Sequence, residues 1–379
     1  MSTWPGKTVI GLTGNIATGK SVVRKMLEHL GAYGIDADAL SHRAIAREAP
    51  GYQPVVDTFG KWILAPDGQI DRSRLGKIVF SDPQALSQLE AIVHPLVRQA
   101  VDLLIRRASQ KVIVIEAIKL LESPLRQGLD TLIVTYASPT TQLTRLMQKR
   151  GMTEEAARQR IAAQPSQQEK MAAANYVIRN DGSFENTWKQ VVNAWQDLFK
   201  IQEAEGILPA ARTAPEGEIV VERARPRQAG EIAELITRLS GQARTLNRAD
   251  VMAAFGEKAF LLVKKDSKLV GLVGWQVENL VARTDDIYLE ASLPAGETLQ
   301  KVMAEVERTS RDLQCEASLL FLPPKLARHE DIWRSLGYER RDLRGLGVRA
   351  WQEAAQESMP DGAVLLFKQL RRDRVLRPV

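Results

Sequence analysis

Cysteine is almost absent from this chain. Its 379 residues carry one, Cys315, so no internal disulfide can form, and the composition suits a reducing compartment. Cys315 sits between a polar helix end and the apolar run 319–322, where a buried, idle thiol is expected in preference to a nucleophile. Histidine is scarce as well. His29, His42, His94 and His329 lack the spacing that a structural zinc site requires. No apolar run approaches the roughly 20 residues needed to cross a bilayer. The opening MSTWPGKTVIGLTG has no long apolar stretch of the kind found in signal peptides, so a cytoplasmic protein is expected. Aromatic residues make up 6% of the chain and do not interleave with its basic C-terminal cluster, which includes Arg340, Arg341, Arg344, Lys368, Arg371, Arg372, Arg374 and Arg377. A solvated face explains that cluster better than a nucleic-acid surface does. The mild excess of positive charge, +6 overall, could equally serve a phosphate-rich small molecule. No internal repeat links the two halves.

What is present is a regular alternation. Short apolar runs at 9–12, 112–115, 131–136 and 175–178, with a turn and strand at 31–36, are separated by helical patterns. Those patterns cover 21–30, 39–47, 55–59, 72–80, 83–105, 140–164 and 183–199. Continuous apolar runs indicate strands buried on both faces, so a doubly wound α/β domain is the economical reading. The stretch 203–218, EAEGILPAARTAPEGE, shifts to Ala, Pro, Gly and Glu and reads as a linker with a boundary near Thr213. The expected division is therefore a first domain at 1–202, the linker at 203–218 and a second domain at 219–379.

One stretch carries most of the chemistry. Gly14-Asn15-Ile16-Ala17-Thr18-Gly19-Lys20-Ser21 fits G-x-x-x-x-G-K-[ST], between an apolar strand and an amphipathic helix that continues through Val22. Glycines allow the tight turn that aims successive N–H groups at an anion, and the helix start adds a favourable dipole end. Lys20 would reach the β- and γ-phosphates of ATP, and the Ser21 hydroxyl would sit on Mg²⁺. A carboxylate is still needed to act as base towards an acceptor hydroxyl. Asp36-Ala37-Asp38 closes the second strand, at the edge where ligands bind open parallel sheets. Asp38 is the chosen base. Asp36 could instead cap the following helix, and a capping role for both is the competing account. Asp57-Thr58-Phe59-Gly60 matches the D-x-x-G of GTPases, but it ends a helix and no Asn-Lys-x-Asp follows.

Taken together, GLTGNIATGKS, IDAD at 35–38, DGQIDRSRLGKIVF at 67–80, LEAIVHP at 89–95 and YVIRNDG at 176–182 resemble the dephospho-CoA kinase family over about 8–198. The resemblance implies a nucleoside-monophosphate-kinase-like parallel sheet with a helical insertion and a lid. It also implies transfer of the ATP γ-phosphate to the ribose 3′-hydroxyl of dephospho-CoA. Carried over by position, Gly14 to Val22 bind ATP, Lys20, Asp38 and Arg145 are catalytic, Asp38 also meets the substrate, and Ser21 serves Mg²⁺. Arg145, and after it Arg150, occupy places of lid arginines, while His42 and His94 fall in the substrate-binding insertion. Asn180 and Gly182 line the adenine pocket or form a simple turn. There are departures from the family pattern. Asn15, Ala17 and Thr18 replace Gly, Gly and Ser, which is harmless if their backbone angles suit non-glycine residues. His42-Arg43 stands where an arginine is common, and Ala174-Asn175 where Ala-Asp is. Glu116-Ala117-Ile118-Lys119-Leu120-Leu121-Glu122 stands for D-x-P-L-L-x-E.

The second domain reads as a strand at 219–222, a helix at 226–239 and a hairpin of 260–263 with 268–275. A strand at 286–289, a helix at 298–313, and a strand, helix and strand at 317–322, 332–336 and 364–370 complete it. This order resembles a GNAT-type α+β acyltransferase fold, as does Ile332-Trp333-Arg334-Ser335-Leu336-Gly337-Tyr338-Glu339. The pyrophosphate loop of that fold is reduced here to Leu293-Pro294-Ala295-Gly296-Glu297-Thr298, with a carboxylate where phosphates would sit. A binding or regulatory role, for CoA or an acyl-CoA, is expected in preference to catalysis. The whole is read as an ATP-dependent dephospho-CoA kinase with a GNAT-like module. Alternatives are a kinase for another small alcohol, or a nucleotide-binding regulator with a weakened kinase half.

Overall fold

The structure, a computed structural model, describes residues 3–200, 217–373 and 375–376. The boundary expected near Thr213 lies outside the described residues, as does the linker apart from 217–218. The described residues fall into two compact units, one within Met1–Lys20, Ala32–Asp181 and Arg372–Val379, the other within Ser21–Gly31 and Gly182–Arg371.

From the N-terminus the elements are β1 (Thr8–Thr13), α1 (Lys20–His29), β2 (Tyr33–Asp36), α2 (Ala37–Ala44), α3 (Tyr52–Phe59), α4 (Arg72–Val79) and α5 (Pro83–Arg107). Then come β3 (Val112–Glu116), β4 (Thr131–Tyr136), α6 (Pro139–Arg150), α7 (Glu154–Ala162), α8 (Gln167–Ala172), β5 (Tyr176–Arg179) and α9 (Phe184–Phe199). The five strands form one parallel sheet in the order β2-β3-β1-β4-β5. Its middle strands are β3, β1 and β4. Val9, Ile10, Leu12, Ile113, Val114, Ile115, Ile133 and Val134 on them are all buried, as apolar runs in a two-faced parallel sheet must be. Register sets Leu12 and Asp36 on either side of Glu116, and Thr13 beside Val134. The carboxyl ends of four strands therefore meet along one edge.

Local chemistry explains most helix boundaries. The Asp82 carboxylate accepts from Gln84 N–H at 2.8 Å and Pro83 begins α5. The helical pattern over 140–164 is two helices. Gly151 ends α6 with a left-handed φ of +60°, and Thr153 caps α7. The short helix α8 carries no clear apolar period and is not foreseen. Asp38 lies in the first turn of α2, not at the end of β2. Asp36 is the cap, accepting from Ala39 N–H at 2.8 Å. The capping account holds for Asp36 alone.

The remaining elements are β6 (Ile219–Arg223), α10 (Ala229–Leu239), α11 (Arg248–Ala254), β7 (Ala259–Lys265), β8 (Lys268–Glu278), β9 (Val281–Leu289) and α12 (Ala295–Asp312). They continue with β10 (Ala317–Leu322), α13 (Pro324–Ala327), α14 (Glu330–Ser335), β11 (Glu339–Arg340), α15 (Arg349–Ser358) and β12 (Val364–Gln369). Seven strands form a mixed sheet in the order β11-β12-β10-β9-β8-β7-β6, with β9 and β10 its parallel pair. Asp266 and Ser267, both at positive φ, make the two-residue turn that joins β7 to β8. The last sheet strands that the sequence reads are present, but β9 starts five residues earlier than expected. Its first half is hidden in the sequence by Arg283, Thr284 and Asp285, three polar residues on a buried strand. Cys315 is fully buried, and burial pushes its thiol pKa up, so the idle-thiol expectation is met. Glu297 stands in the first turn of α12 and pairs with Lys301 at 3.2 Å.

Within this second unit, one face of α1 carries Lys25, Glu28 and His29. Lys25 Nζ donates to Val277 O at 2.7 Å and to Glu28 Oε2 at 3.0 Å. His29 Nε2 lies 2.8 Å from Phe255 O, and its ring meets the Phe255 ring edge-on at 5.3 Å. A carbonyl only accepts, so Nε2 carries the proton and Nδ1 presents its lone pair to Arg223 at 3.5 Å. Burial, and then the Arg223 charge, lower the His29 pKa to about 3.

The unfolded chain takes up a proton at His29 near its ordinary value, and the folded chain does not until about pH 3. Stability is thus complete above the ordinary histidine pKa and is lost as pH falls towards 3, by up to about 1.4 kcal/mol per pH unit from this group. Denaturant melts of the wild type and His29→Gln between pH 7.5 and 5 should show the steeper decline in the wild type. Parallel declines would refute the assignment.

Candidate active site

The glycine loop is held from beneath. Gly14 has a φ of +152°, and a Cβ there would stand 2.5 Å from Thr135 O, on the C-terminal half of β4. Gly19 has a φ of +92°, and a Cβ would overlap the Asn180 side-chain amide. The loop can take its tight course only because both positions are bare. Thr18 Oγ1 bonds Thr135 Oγ1 at 2.7 Å and Asn15 O at 2.8 Å, while Asn180 Nδ2 donates to Thr18 O at 3.0 Å. Of the three departures from the family pattern, Asn15 and Thr18 keep negative φ. Ala17 sits at +58° in the left-handed region, so its backbone conformation is one that glycine adopts more cheaply.

Four charged groups converge below this loop. Lys20 is 8% exposed, and burial lowers its pKa against the opposing pull of Glu116, Asp38 and Asp36. Asp38 has its pKa raised by burial, opposed by a hydrogen bond from Ile118 N–H to its Oδ2 at 3.0 Å and by the Lys20 charge. Glu116 is buried at the end of β3. Lys170, from α8, is buried as well and donates to Ile118 O at 2.8 Å. A carboxyl raised towards neutral pH beside a buried ammonium can accept a proton from an alcohol while the ammonium faces transferring phosphate.

Arg145 on α6 donates to Ala17 O at 3.1 Å and Asn180 O at 2.6 Å, which ties the helix after β4 to the loop. Arg150 is exposed at the end of α6, close enough to Lys20 to depress its pKa. Arg158 and Arg160 are exposed on α7, as a solvated face requires. Gln164 Oε1 accepts from Ile16 N–H at 2.8 Å, and Asn15 Nδ2 donates to Pro165 O at 2.7 Å, so the segment after α7 also meets the loop. His42 lies exposed one turn after Asp38 on α2, and His94 half-buried on α5. Gly182 is exposed, whereas Asn180 is buried against the loop. Ser21 and Val22 follow Lys20 in the first turn of α1. Sequence reading misses Thr135, Gln164 and Lys170. Each is a single polar residue whose role comes only from the tertiary arrangement.

A parallel sheet with strand, glycine loop and helix, and a half-buried carboxylate on the helix that follows β2, defines a P-loop phosphotransferase. The dephospho-CoA kinase family profile matches residues 8–186. A dephospho-CoA kinase of Streptomyces avermitilis is 45% identical over 190 residues, which is 50% of this chain and 93% of that protein. One from Geobacter sulfurreducens is 40% identical over 194 residues, 50% of this chain and 98% of that protein. The chain belongs to the dephospho-CoA kinase family. Among solved structures, a Thermus thermophilus protein aligns with 52% of this chain and 98% of its own, at 30% identity and a TM-score of 0.46. A GNAT-family acetyltransferase of Staphylococcus aureus aligns with 41% of this chain and 100% of its own, at 13% identity and a TM-score of 0.33.

Two substitutions in the loop should move in opposite directions. Gly14→Ala places a methyl against a backbone oxygen that cannot step aside, and should cost at least about 2 kcal/mol in a denaturant melt and weaken ATP binding. Ala17→Gly should be neutral or stabilising by up to about 1 kcal/mol, because relief of the left-handed φ offsets the added freedom of the unfolded chain. A loss above about 1 kcal/mol for Ala17→Gly would contradict the strain at that residue.

Proposed function

We propose that this kinase transfers the γ-phosphoryl of ATP to the ribose 3′-hydroxyl of dephospho-CoA, giving coenzyme A and ADP. The observation that carries this reading is the approach of half-buried Asp38, in the first turn of α2, to buried Lys20 at the start of α1, each acting on the other's charge. Asp38 accepts the hydroxyl proton as the oxygen attacks. Lys20 offsets the charge on the migrating phosphoryl, and the N–H groups of residues 14–22 cradle the phosphates. Arg145 holds the loop and α6 together, from where a small movement brings its guanidinium onto the same phosphates. The Ser21 hydroxyl would hold a hard cation such as Mg²⁺, which would supply positive charge to offset that of the phosphates. His42 and His94 belong to the side that receives dephospho-CoA.

Among the described residues no helix is long and apolar enough to cross a membrane. The reading extends to a protein of the cytoplasm. For residues 219–379 we favour a GNAT-like module that binds CoA or an acyl-CoA without turning it over, since Glu297 places a carboxylate at the start of α12. Titrating CoA into the full chain should reveal two classes of site, and a one-site isotherm would remove this part of the reading.

A coupled ADP-release assay tests the central claim. Dephospho-CoA should support turnover, and nucleosides and sugars should not. Absence of ADP release with dephospho-CoA would overturn it, and turnover with a different alcohol would favour another acceptor. Asp38→Asn should lower kcat by about a hundredfold or more while ATP still binds, and Lys20→Ala should be at least as severe. A near-normal rate for Asp38→Asn would mean that another group is the base. In the wild type, kcat/KM should fall on the acid side with an apparent pKa above the ordinary aspartate value, because Asp38 is raised by burial and must be ionised to act.

A further inference from the structure

The segment after β3 departs from the family pattern, and it is there that the base is held. Ile118 is fixed on both sides. Its N–H donates to Asp38 Oδ2 at 3.0 Å, and its carbonyl accepts from Thr13 Oγ1 at 3.0 Å and from Lys170 Nζ at 2.8 Å. Ala117 N–H donates to Leu12 O at 3.1 Å, so the segment is anchored to the end of β1 as well. Lys170 is 3% exposed. Its hydrogen-bond partner is a carbonyl, which leaves a buried ammonium without full charge compensation from that bond. The charges that act on it are Glu122 and Asp38, of opposite sign, and Lys20, of the same sign. The Lys170 ammonium is thus hydrogen-bonded to the peptide that positions Asp38, with Glu122 and Asp38 as the opposite charges that act on it.

We propose that Lys170 is a positioning residue for phosphoryl transfer. It pins Ile118 so that the Ile118 N–H keeps Asp38 in place, and it adds a second positive charge that favours the ionised carboxylate. The inference rests on the kinase reading given above. The groups around Asp38 are Lys20, Glu116, Lys170 and the Ile118 N–H. Glu116 opposes ionisation of Asp38, and the other three favour it. Loss of the Lys170 charge therefore raises the Asp38 pKa, and more of the base is protonated at a given pH.

The test compares full-length Lys170→Gln and Lys170→Arg with the wild type. Gln keeps a donor for Ile118 O and removes the charge, whereas Arg keeps the charge. In Lys170→Gln, kcat should fall about tenfold or more at pH 7, and the acid limb of the pH–rate profile should move up by about half a unit or more. Lys170→Arg should return the limb to the wild-type position. A Lys170→Gln limb that coincides with the wild type would overturn the proposal, as would a limb that stays displaced in Lys170→Arg. A purely structural lysine would lower activity through lost folded protein and leave the limb where it is. The second measurement does not need turnover. With ¹³C-carboxyl aspartate, the Asp38 resonance, identified by its loss in Asp38→Asn, should titrate at higher pH in Lys170→Gln than in the wild type. If wild type releases no ADP with dephospho-CoA, the kinase reading fails, and this titration still decides whether Lys170 acts on Asp38. Equal midpoints would rule that out.

Discussion

A charge taken out of water has to be stabilised by what surrounds it, and the catalytic end of the parallel sheet is built around that constraint. Lys20 and Lys170 are buried cations, and Asp38 and Glu116 are largely buried carboxylates. None is tolerable alone in a low-dielectric interior, where an uncompensated ion costs several kcal/mol. Together they form a neutral set, and each shifted pKa records the balance between desolvation and the opposite charges. The register of β2, β3 and β1, which aligns Leu12, Asp36 and Glu116, brings the set to one edge. The sheet therefore does more than carry the loop. It fixes the groups that a phosphoryl-transfer site must keep dry.

The phosphate loop sits in this scheme as a layer held at several points. Thr135 and Asn180 support it from β4 and from the end of β5, Arg145 reaches it from α6, and Gln164 and Pro165 approach from beyond α7. Such bracing limits the conformations open to Gly14 and Gly19, so that backbone N–H groups stay aimed where an anion would bind. The same bracing explains how Ala17 is retained at a left-handed φ. Its cost is small beside the contacts that fix the residues on either side.

Much of this architecture is legible in the amino-acid sequence. Long apolar runs locate β1, β3 and β4, because burial on both faces leaves no room for polar alternation. The motif at 14–21 locates the loop, and IDAD at 35–38 points to the carboxylate proposed as the base. What is not legible has physical reasons. A single break at Gly151 divides a continuous helical pattern, and the helix α8 is too short to show a period. Arg283, Thr284 and Asp285 hide half of β9, since Arg283 and Asp285 are held by partners, Ser358 and Lys258, that lie far away in the chain. In sequence, Lys170 is one more charge in a charged stretch. Its burial and its bond to Ile118 are properties of the fold and leave no local trace.

The lone thiol has a practical corollary. Cys315 is fully buried and its pKa is pushed up, so under native conditions at neutral pH it offers almost no thiolate to an electrophile. Since the chain has no second cysteine, it should serve as an unreactive background for maleimide chemistry. A cysteine introduced at an exposed position such as Phe80 would take a fluorophore or spin label selectively, with no need to remove the native residue first. Pairs of such labels within one compact unit would then report distances in solution.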